Sequence, residues 1–280
     1  MKTKKENARF FVPDGNGDVS RVTHLGVGAH QDDLEFMAFE GILACYESGE
    51  RWFGGVTCTD GGGSSRTGRF ADYTDEEMKA VRVEEQEKAA EIGRYAGMWQ
   101  LGYASSEIKV PGGGHLVDDL EAVLRATRPE VVYTHSLADK HDTHVAVTLA
   151  LIAAARRLPS DERPARVTGC EVWRDLDWML DDEKVAMDVS GNDELARELN
   201  GVFESQIAGG KRYDLAVMGR RRANATFFNS HATDASDSVW FGMDLTPLLE
   251  DGAADPVAYV LGFIGRFRDD VRGKVEGFLG

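Results

Sequence analysis

The sequence predicts an α/β fold in which a mostly parallel sheet is covered by helices on both faces. Apolar runs of strand length alternate four times with segments whose apolar residues recur at helical spacing. Because strand and helix follow one another directly, successive strands are joined by right-handed helical crossovers and lie parallel. With 280 residues, 42% of them hydrophobic, the chain is long enough to bury the core that such a fold needs.

The first half of the chain contains the four strand and helix units in order. Residues 23–29 form a short apolar run typical of a buried strand, and residues 34–46 have a helical pattern that closes near Gly49. Thr74 and the acidic residues after it favour a capped helix start. The remaining strands are predicted at 52–59, 98–103 and 130–135, and the remaining helices at 74–93, 116–127 and 144–158.

The last third of the chain has a weaker pattern. Strands are predicted at 167–174 and 185–189 and a helix at 192–206, while residues 208–238 have mixed composition. No repeat and no linker composition marks a boundary. We therefore predict a single domain over residues 1–280, with residues 208–280 forming a rim or cap over the site.

The charge balance excludes some classes of partner. The chain has 32 Lys and Arg against 48 Asp and Glu, a formal net charge of -16 that repels nucleic acid and anionic membranes. Its three cysteines form no CxxC pair and are expected to be reduced thiols. No apolar run is long enough to cross a bilayer, so we expect a cytoplasmic protein.

Acidic and histidine side chains are concentrated in two clusters that follow predicted strands. The first cluster is residues 30–33, and the second, residues 135–144, contains three histidines and two aspartates. In open parallel sheets ligands bind at the carboxyl ends of the strands. We therefore expect both clusters at one edge of the sheet, where they are able to share one metal ion.

The residue types in these clusters suit a catalytic zinc ion, which takes three protein ligands and keeps one position for water. Two histidines and one aspartate supply that set. The two adjacent aspartates are predicted to have different roles: Asp33 is a metal ligand, and Asp32 is the general base that accepts a proton from the water. His141, one helical turn from His144, is the candidate that stabilises the oxyanion formed from an amide carbonyl.

The paired motif resembles that of a known family. His30-Gln31-Asp32-Asp33-Leu34-Glu35 after one apolar strand, and His141-Asp142-Thr143-His144 after another, are similar to the motifs of the PIG-L or LmbE-like zinc-dependent N-deacetylases, which act on N-acetylglucosamine-type groups. Matching positions run from residue 25 to residue 206. The resemblance implies a Rossmann-like, three-layer fold, in agreement with the alternation of strands and helices.

The resemblance also implies residue roles. His30, Asp33 and His144 match the metal ligands of the family, and Asp32 matches its general base. His141 matches the histidine that steadies the transition state or protonates the leaving amine.

Three further residues are expected to bind substrate. Arg82 resembles the family's substrate-contacting arginine, and Asp60 and Asp139 are predicted contacts, although Asp60 fits a simple turn equally well. His135 is predicted to be a structural residue at a strand end and not a fourth ligand.

The sequence departs from the family pattern at three places. Gln31 stands where the family usually has proline, and residues 39–41 replace a glycine-rich step of the first helix. Thr143 stands where an aspartate normally precedes the last ligand and orients the neighbouring histidine. Asp142 and Asp139 are both candidates to replace that aspartate, and the sequence leaves the choice open.

The sequence therefore predicts a zinc-dependent hydrolase. It removes an N-acetyl or other N-acyl group from an N-acetylglucosamine-type sugar or its conjugate through a metal-activated water, and Fe²⁺ is an alternative metal. The expected partner is a small amino sugar, without nucleic acid or membrane, and a homo-oligomer stays open. Two alternatives remain: a metallohydrolase acting on an ester or phosphate, and a non-catalytic carbohydrate-binding protein, which Thr143 favours and Asp32 argues against.

Overall fold

One eight-stranded sheet runs through the part of the chain that the computed structural model describes, residues 3–250 and 252–279. Residues 1, 2, 251 and 280 of the predicted domain lie outside the described residues. Five neighbouring strands are parallel, and antiparallel strands complete both edges. The strands are β1 (Arg9–Phe11), β2 (His24–Gly28), β3 (Phe53–Thr59), β4 (Gly97–Tyr103), β5 (Val131–His135), β6 (Arg166–Cys170), β7 (Val185–Asp188) and β8 (Val239–Asp244).

Helices cover both faces of this sheet, which confirms the predicted α/β class. One buried cluster packs Leu120 and Leu151 against the sheet, and a second cluster on the other face contains Leu34, Ile42 and Leu199. The helices are α1 (Asp33–Met37), α2 (Phe39–Tyr46), α3 (Asp75–Ile92), α4 (Ser105–Ile108), α5 (Gly114–Thr127), α6 (Asp142–Arg156), α7 (Asp193–Gly201), α8 (Glu204–Ala208), α9 (Tyr213–Phe227) and α10 (Pro256–Leu279).

The strand order places a crevice beside the centre of the sheet. The order is β1-β4-β3-β2-β5-β6-β8-β7, so the chain runs outward from β2 to β4 and then returns to the other side of β2. β2 and β5 are paired in parallel, with Gly26 opposite Tyr133. A point where the strand order reverses is where open α/β sheets bind ligands. The residues that follow β2 and β5 therefore lie at the same edge and next to each other.

The bounds of several helices and strands differ from those predicted, at places where the local sequence signals for helix and strand ends are weak. The helix predicted at 34–46 is two helices, because Ala38 has φ -105° and ψ 18° and leaves the helical conformation. The helix predicted at 192–206 is likewise divided into α7 and α8, and the strand predicted at 167–174 ends at Cys170. The mixed stretch 208–238 contains α9.

Two of the three antiparallel strands, β1 and β8, were not predicted, whereas β7 lies within the strand predicted at 185–189. β1 has only three residues, too few for a periodic pattern. β8 lies between β6 and β7, and five of its six residues are buried. A strand buried on both faces lacks the alternation of polar and apolar residues that makes a strand recognisable in a sequence.

The last helix, α10, has one apolar row that faces solvent. Its start is attached to the sheet through the buried Phe263 and through Tyr259, whose hydroxyl donates to the carbonyl of Asp244 at 2.6 Å. Beyond that anchor, Val271, Val275 and other apolar side chains are exposed. In the described part of the chain, neither α10 nor any other helix combines the length and apolarity that crossing a membrane requires.

Close packing of α2 on the sheet requires glycine at position 41. A Cβ atom at Gly41 would lie 2.4 Å from Cε2 of Tyr133. The ring of Tyr133 cannot easily move, because its hydroxyl donates to Glu40 and Arg166 donates to the same hydroxyl at 3.2 Å. The residues that replace the family's glycine-rich step therefore keep the one glycine at which a side chain would collide with the sheet.

We expect Gly41→Ala to lower the free energy of unfolding by about 1–3 kcal/mol, because overpacking outweighs the roughly 1 kcal/mol that alanine contributes to helix propensity. Urea titration followed by circular dichroism measures the change. Gly49→Ala is the control, since no atom lies within 4 Å of a Cβ built there. A Gly41→Ala variant as stable as Gly49→Ala would show that the ring of Tyr133 shifts freely.

Candidate metal centre and active site

The two clusters predicted from the sequence meet at the crevice. β2 leads through Ala29 to His30, and α1 begins at Asp33. Across the crevice, β5 ends at His135, and His141 is the residue before the first turn of α6. Both helices thus begin at the carboxyl edge of the sheet, where their amino termini favour neutral imidazole and carboxylate side chains.

His30, Asp33 and His144 converge. Nδ1 of His30 lies 3.3 Å from Oδ2 of Asp33 and 3.2 Å from Nε2 of His144, and that Nε2 lies 3.5 Å from Oδ1 of Asp33. A tetrahedral metal with bonds of about 2.0–2.1 Å separates its ligand atoms by about 3.3–3.4 Å. These separations are of the size that a zinc ion requires, with a different oxygen of Asp33 facing each imidazole, so the donor set fits the metal. His141 forms a second set of this kind with His30 and His144.

Asp139 contacts the ring nitrogen of His144 that does not face His30. Its Oδ2 lies 3.3 Å from Nδ1 of His144, and its other oxygen accepts the backbone N–H of His141 at 2.9 Å. Burial opposes protonation of His144, but Asp33 and Asp139 outweigh it and raise the pKa of the imidazole. A proton on Nδ1 leaves the lone pair of Nε2 for a metal, the usual arrangement around metal-ligating histidines.

The position of Asp139 bears on two expectations. Of the two candidates to replace the missing aspartate, Asp139 contacts a histidine of the cluster, whereas Asp142 is exposed. The histidine that it contacts through its side chain is His144. Asp139 was also predicted to bind substrate, but its carboxylate is fully buried behind His144 and is not among the residues that line the cavity.

His135 is part of the floor beneath the cluster. Its ring stacks on His144 with centroids 3.7 Å apart, and its Nε2 accepts the backbone N–H of Ala29 at 2.9 Å. Burial and the neighbouring His144 lower the pKa of His135 to about 4, so the ring is neutral. His135 can be grouped with Asp33 and His144 as a metal-binding set. The same Nε2 lies 3.3 Å from Oδ2 of Asp33, so His135 contacts the cluster through the nitrogen that meets Ala29, and its structural role stays a prediction.

Asp32 lies beside the cluster in an unusual backbone conformation. Its φ of 103° is in the left-handed region, and this conformation separates its side chain from that of Asp33. Nη2 of Arg82 contacts Oδ2 of Asp32 at 3.0 Å, and the side chain of Gln86 accepts the backbone N–H of Asp32 at 3.3 Å. Burial raises the pKa of Asp32 to about 8 despite the charge of Arg82.

A buried network supports this turn from below. Glu35 is completely buried and accepts hydrogen bonds from Gln86 at 2.9 Å and from the hydroxyl of Tyr95 at 2.7 Å. Burial raises the pKa of Glu35 to about 7. On the other side, Arg82 is fixed by Glu85 at 3.0 Å. The left-handed backbone conformation of Asp32 is therefore held by side chains from α1, from α3 and from the segment between α3 and β4.

His141, like His30, is only partly buried, whereas His135 and His144 are buried. Its ring centroid lies 4.9 Å from that of His30 and 4.6 Å from that of His144. Burial, His144 and His30 together lower the pKa of His141, so its neutral form is favoured. Its Nδ1 has no hydrogen-bond partner in the described residues. That nitrogen is buried, while the residue itself is among those that line the cavity.

These residues open into a cavity of about 490 Å³. His30, Asp32 and Asp33 lie at its base, and Arg82 and Asp60 line one side. Trp173 forms part of the opposite wall, with its ring centroid 6.3 Å from that of His141 and 6.0 Å from that of Tyr213. The remaining lining residues include Phe36, Thr59, Ser64, Ser65, Ser105, Lys109, Thr143, Gln206, Lys211, Val217, Arg220 and Trp240.

The sequence profile of one family matches this part of the chain. The profile of PIG-L, described as GlcNAc-PI de-N-acetylase, matches residues 25–155, the stretch that holds all three converging ligands. The chain contains a PIG-L family domain. No sequence among the curated proteins matches the chain.

Solved structures share the fold of the PIG-L domain. The N,N'-diacetylchitobiose deacetylase of Pyrococcus horikoshii has a TM-score of 0.60 at 17% identity, over 78% of this chain and 83% of that one. The 4-carboxy-2-hydroxymuconate hydratase of Pseudomonas putida has a TM-score of 0.62 at 20% identity, over 81% and 97%. A conserved protein of Thermus thermophilus has a TM-score of 0.61 at 19% identity, over 81% and 96%. At these identities the likeness shows the fold alone.

The residues outside the PIG-L match complete the cavity. Trp173, Lys211, Tyr213 and Arg220 all line it, although the weak sequence pattern after Pro164 does not place α9 near the two clusters. From the sequence, packing is the simplest interpretation of Trp173 and a solvated charge run that of Arg220, and contact with a substrate is the less favoured interpretation of both. Only the three-dimensional path of the chain brings these side chains to the PIG-L domain.

Removal of the Asp139 carboxylate tests its action on His144. We expect Asp139→Asn to weaken zinc binding about 10- to 100-fold, the usual cost of losing such a partner. Competition with a chromophoric chelator measures the affinity. Asp142→Asn removes a nearby exposed carboxylate and is expected to bind zinc like the native chain. Equal zinc affinities of the two variants would contradict the role of Asp139.

Proposed function

We propose that this protein is a divalent-metal-dependent hydrolase that removes an N-acetyl or other N-acyl group from an amino sugar of the N-acetylglucosamine type. The observation that carries the proposal is the convergence of His30, Asp33 and His144 beside the buried carboxylate of Asp32. The PIG-L domain supports the same reaction, since its family is described by a de-N-acetylase activity.

His30, Asp33 and His144 would hold the metal, and zinc suits a set of two imidazoles and one carboxylate. Such an ion supplies Lewis acidity toward a carbonyl oxygen and lowers the pKa of a water molecule to about 7. Fe²⁺ is an alternative for the same ligands. The neighbouring imidazole of His135 and the carboxylate of Asp139 keep the ligands in place without reaching the cavity.

The chain's own groups account for the movement of protons. Asp32 lines the cavity and, in its ionised form, accepts a proton from the attacking water, while Arg82 fixes the orientation of its carboxylate. The positive charge of a divalent metal held by its neighbours would favour that ionised form against the effect of burial. His141 also lines the cavity, and its buried Nδ1 has no hydrogen-bond partner in the described residues. It is placed to stabilise the carbonyl oxygen as negative charge develops, or to deliver a proton to the departing amine.

The rest of the chain completes the site in this proposal. We propose one domain over residues 1–280, in which residues 208–280 supply part of the rim. Tyr213 and Arg220 on α9 and Trp240 on β8 support this, because they line the cavity. None of the described residues of α10 is among the lining residues, so the contribution of the last segment to the rim comes from its first half.

A second candidate reaction is hydration of an unsaturated carboxylate. The similar fold of the 4-carboxy-2-hydroxymuconate hydratase raises it, and the cationic residues Lys109, Lys211 and Arg220 in the cavity favour it, because they suit an anionic substrate. Addition of water to such a substrate needs a group that accepts a proton from the water, and Asp32 would supply it. The two reactions are distinguished by their products, a free amine or a saturated hydroxy acid.

Two substitutions test the proposed roles in amine release from acetylated amino sugars. Asp32→Asn is expected to keep the metal content of the native protein and to lower kcat by about 10²–10⁴-fold, the contribution of a general base. His144→Ala is expected to lose the metal. His115→Ala is the matched control, because this histidine of α5 is 76% exposed.

The same assay decides between the candidate functions. Native turnover by Asp32→Asn, or full metal content in His144→Ala, would overturn the assigned roles. A metal-loaded protein that binds acetylated sugars without releasing amine would be a carbohydrate-binding protein. Turnover of esters or phosphates alone would indicate the other class of metallohydrolase.

A further inference from the structure

Three consecutive arginines of α9 have three different surroundings. Arg220 lines the cavity, Arg221 is only 1% exposed, and Arg222 is exposed and pairs with Asp193. Among the described residues, no carboxylate lies within ion-pair distance of Arg221. A buried charge without a carboxylate partner is costly, and an apolar side chain of similar length fills the same space without that cost. Other contacts must therefore offset the burial of this guanidinium.

The guanidinium of Arg221 contacts the last turn of α1. Its Nη2 donates to the carbonyl of Glu35 at 2.9 Å and to the carbonyl of Phe36 at 3.3 Å. Carbonyl groups at the carboxyl end of a helix carry partial negative charge and favour a cation nearby. α1 ends at Met37, because Ala38 leaves the helical conformation. The end of α1 therefore supplies the acceptors that the buried charge requires.

Two aromatic rings lie beside the same guanidinium. Its Cζ atom is 4.3 Å from the ring centroid of Phe39 and 5.7 Å from that of Trp240. A cation over an aromatic face is attracted electrostatically, and the attraction is stronger where water is excluded. Burial nevertheless lowers the pKa of Arg221. The side chain is thus held in one position by contacts with α1, α2 and β8.

The other end of α1 carries the carboxylates of the site. The helix begins at Asp33, and Asp32 is the residue before its first turn. Glu35 and Phe36 follow Asp33 by two and three residues, a distance of about 3–4.5 Å along the helix axis. Because α1 has only five residues, a displacement of its last turn also displaces its first residue. The contact with Arg221 is therefore close enough to fix the position of Asp33.

Glu35 is bound both through its side chain and through its backbone. Its carboxylate accepts hydrogen bonds from Gln86 at 2.9 Å and from Tyr95 at 2.7 Å, and its carbonyl accepts the hydrogen bond from Arg221. The first two donors belong to α3 and to the segment that follows it, and the third belongs to α9. Without Arg221, α1 would keep the contacts of this carboxylate but lose the hydrogen bonds from α9.

The candidate metal centre is sensitive to the position of α1. Oδ1 of Asp33 lies 3.5 Å from Nε2 of His144, a residue of α6 on the other side of the crevice. The two side chains thus come from separate helices, and no backbone connection fixes their separation. Metal sites tolerate deviations of only about 0.2 Å in their bond lengths. A small movement of α1 is therefore sufficient to change how well these two residues share an ion.

We propose that Arg221 is a positioning residue of the metal centre, because it holds the last turn of α1 and so sets the position of Asp33 relative to His144. The inference rests on the proposed function in one respect, since it takes these two residues to be metal ligands. Arg221 is not among the residues that line the cavity, whereas Arg220 is. Arg221 therefore acts through α1 and not by contact with a substrate.

Cobalt binding tests this role without any substrate. Co²⁺ accepts the same ligand types as zinc, and its visible absorption depends on the number and arrangement of its ligands. Arg221→Met keeps an unbranched side chain and removes the charge. We expect this variant to bind Co²⁺ about tenfold more weakly than the native protein and with an altered absorption spectrum, since losing a group that orients a metal ligand costs about 10- to 100-fold in affinity.

Arg222→Met is the matched control, because it makes the same substitution one residue further along α9, at a side chain that is 46% exposed. We expect it to bind Co²⁺ with the native affinity and spectrum. Arg221→Lys keeps the charge but replaces the planar guanidinium with a single ammonium group. Its affinity is expected to lie between those of the native protein and Arg221→Met, a partial rescue that loss of packing alone does not explain.

Urea titration followed by circular dichroism shows whether each variant is folded. An Arg221→Met protein that is less stable but keeps the native Co²⁺ affinity and spectrum would show that Arg221 contributes only packing, and would overturn the inference. If Arg221→Met does not fold, Arg221→Lys decides: weaker binding with an altered spectrum supports the positioning role, and native binding contradicts it.

The same measurements separate this inference from the proposed function. Co²⁺ binding that depends on Arg221, without amine release from any acetylated sugar by the native protein, would keep the positioning role and reject the deacetylase function. A native chain that binds no Co²⁺ would reject the metal centre itself, and the role of Arg221 with it.

Discussion

The architecture of the site depends on one constraint, the meeting of two chain segments more than a hundred residues apart at the reversal of strand order. Asp33 is the centre of that meeting, because one oxygen faces His30 and the other faces His144. A buried carboxylate is costly without partners. Here burial is outweighed by His144, His135 and the hydrogen bonds around it, which hold the pKa of Asp33 well below its usual range. The parallel pairing of β2 and β5 keeps those partners in reach.

The departures from the family motif are accommodated by side chains nearby. Gln31 does not stiffen its turn as a proline would, but its amide donates to the carbonyl of Thr59 at 3.1 Å and so ties the turn to the end of β3. Thr143 removes one carboxylate, and Asp139, four residues earlier, approaches His144 from behind. His144, the residue that these differences affect most, is thus supported by the carboxylate of Asp139. The ring of His141 contacts no such carboxylate and is held in place by its packing.

The sequence predicted the central parallel strands and the two clusters, because their signals are local: apolar strands, helix starts, and histidine or aspartate directly after a strand. His30 and His144 were expected to lie close together because both follow strands that end at the same edge of a parallel sheet. This expectation does not depend on the surrounding side chains. The aromatic wall of the cavity could not be predicted, because Trp173 and Tyr213 belong to the segment whose sequence pattern is weakest. Gln86 and Tyr95 were missed for another reason. A buried polar network has no sequence spacing of its own, because its members come from separate elements.

The fold and the reaction are decided by different parts of the molecule. A hydratase and a deacetylase both share this architecture, so the sheet alone specifies neither reaction. What the sheet fixes is the edge at which His30, Asp33 and His144 converge beside Asp32. Under the proposed function, the walls of the cavity would decide which bond is attacked, above all the indole that lies between His141 and Lys211. These walls come from loops and from α9, which are able to change while the pairing of β2 with β5, and hence the convergence of these three side chains, stays the same.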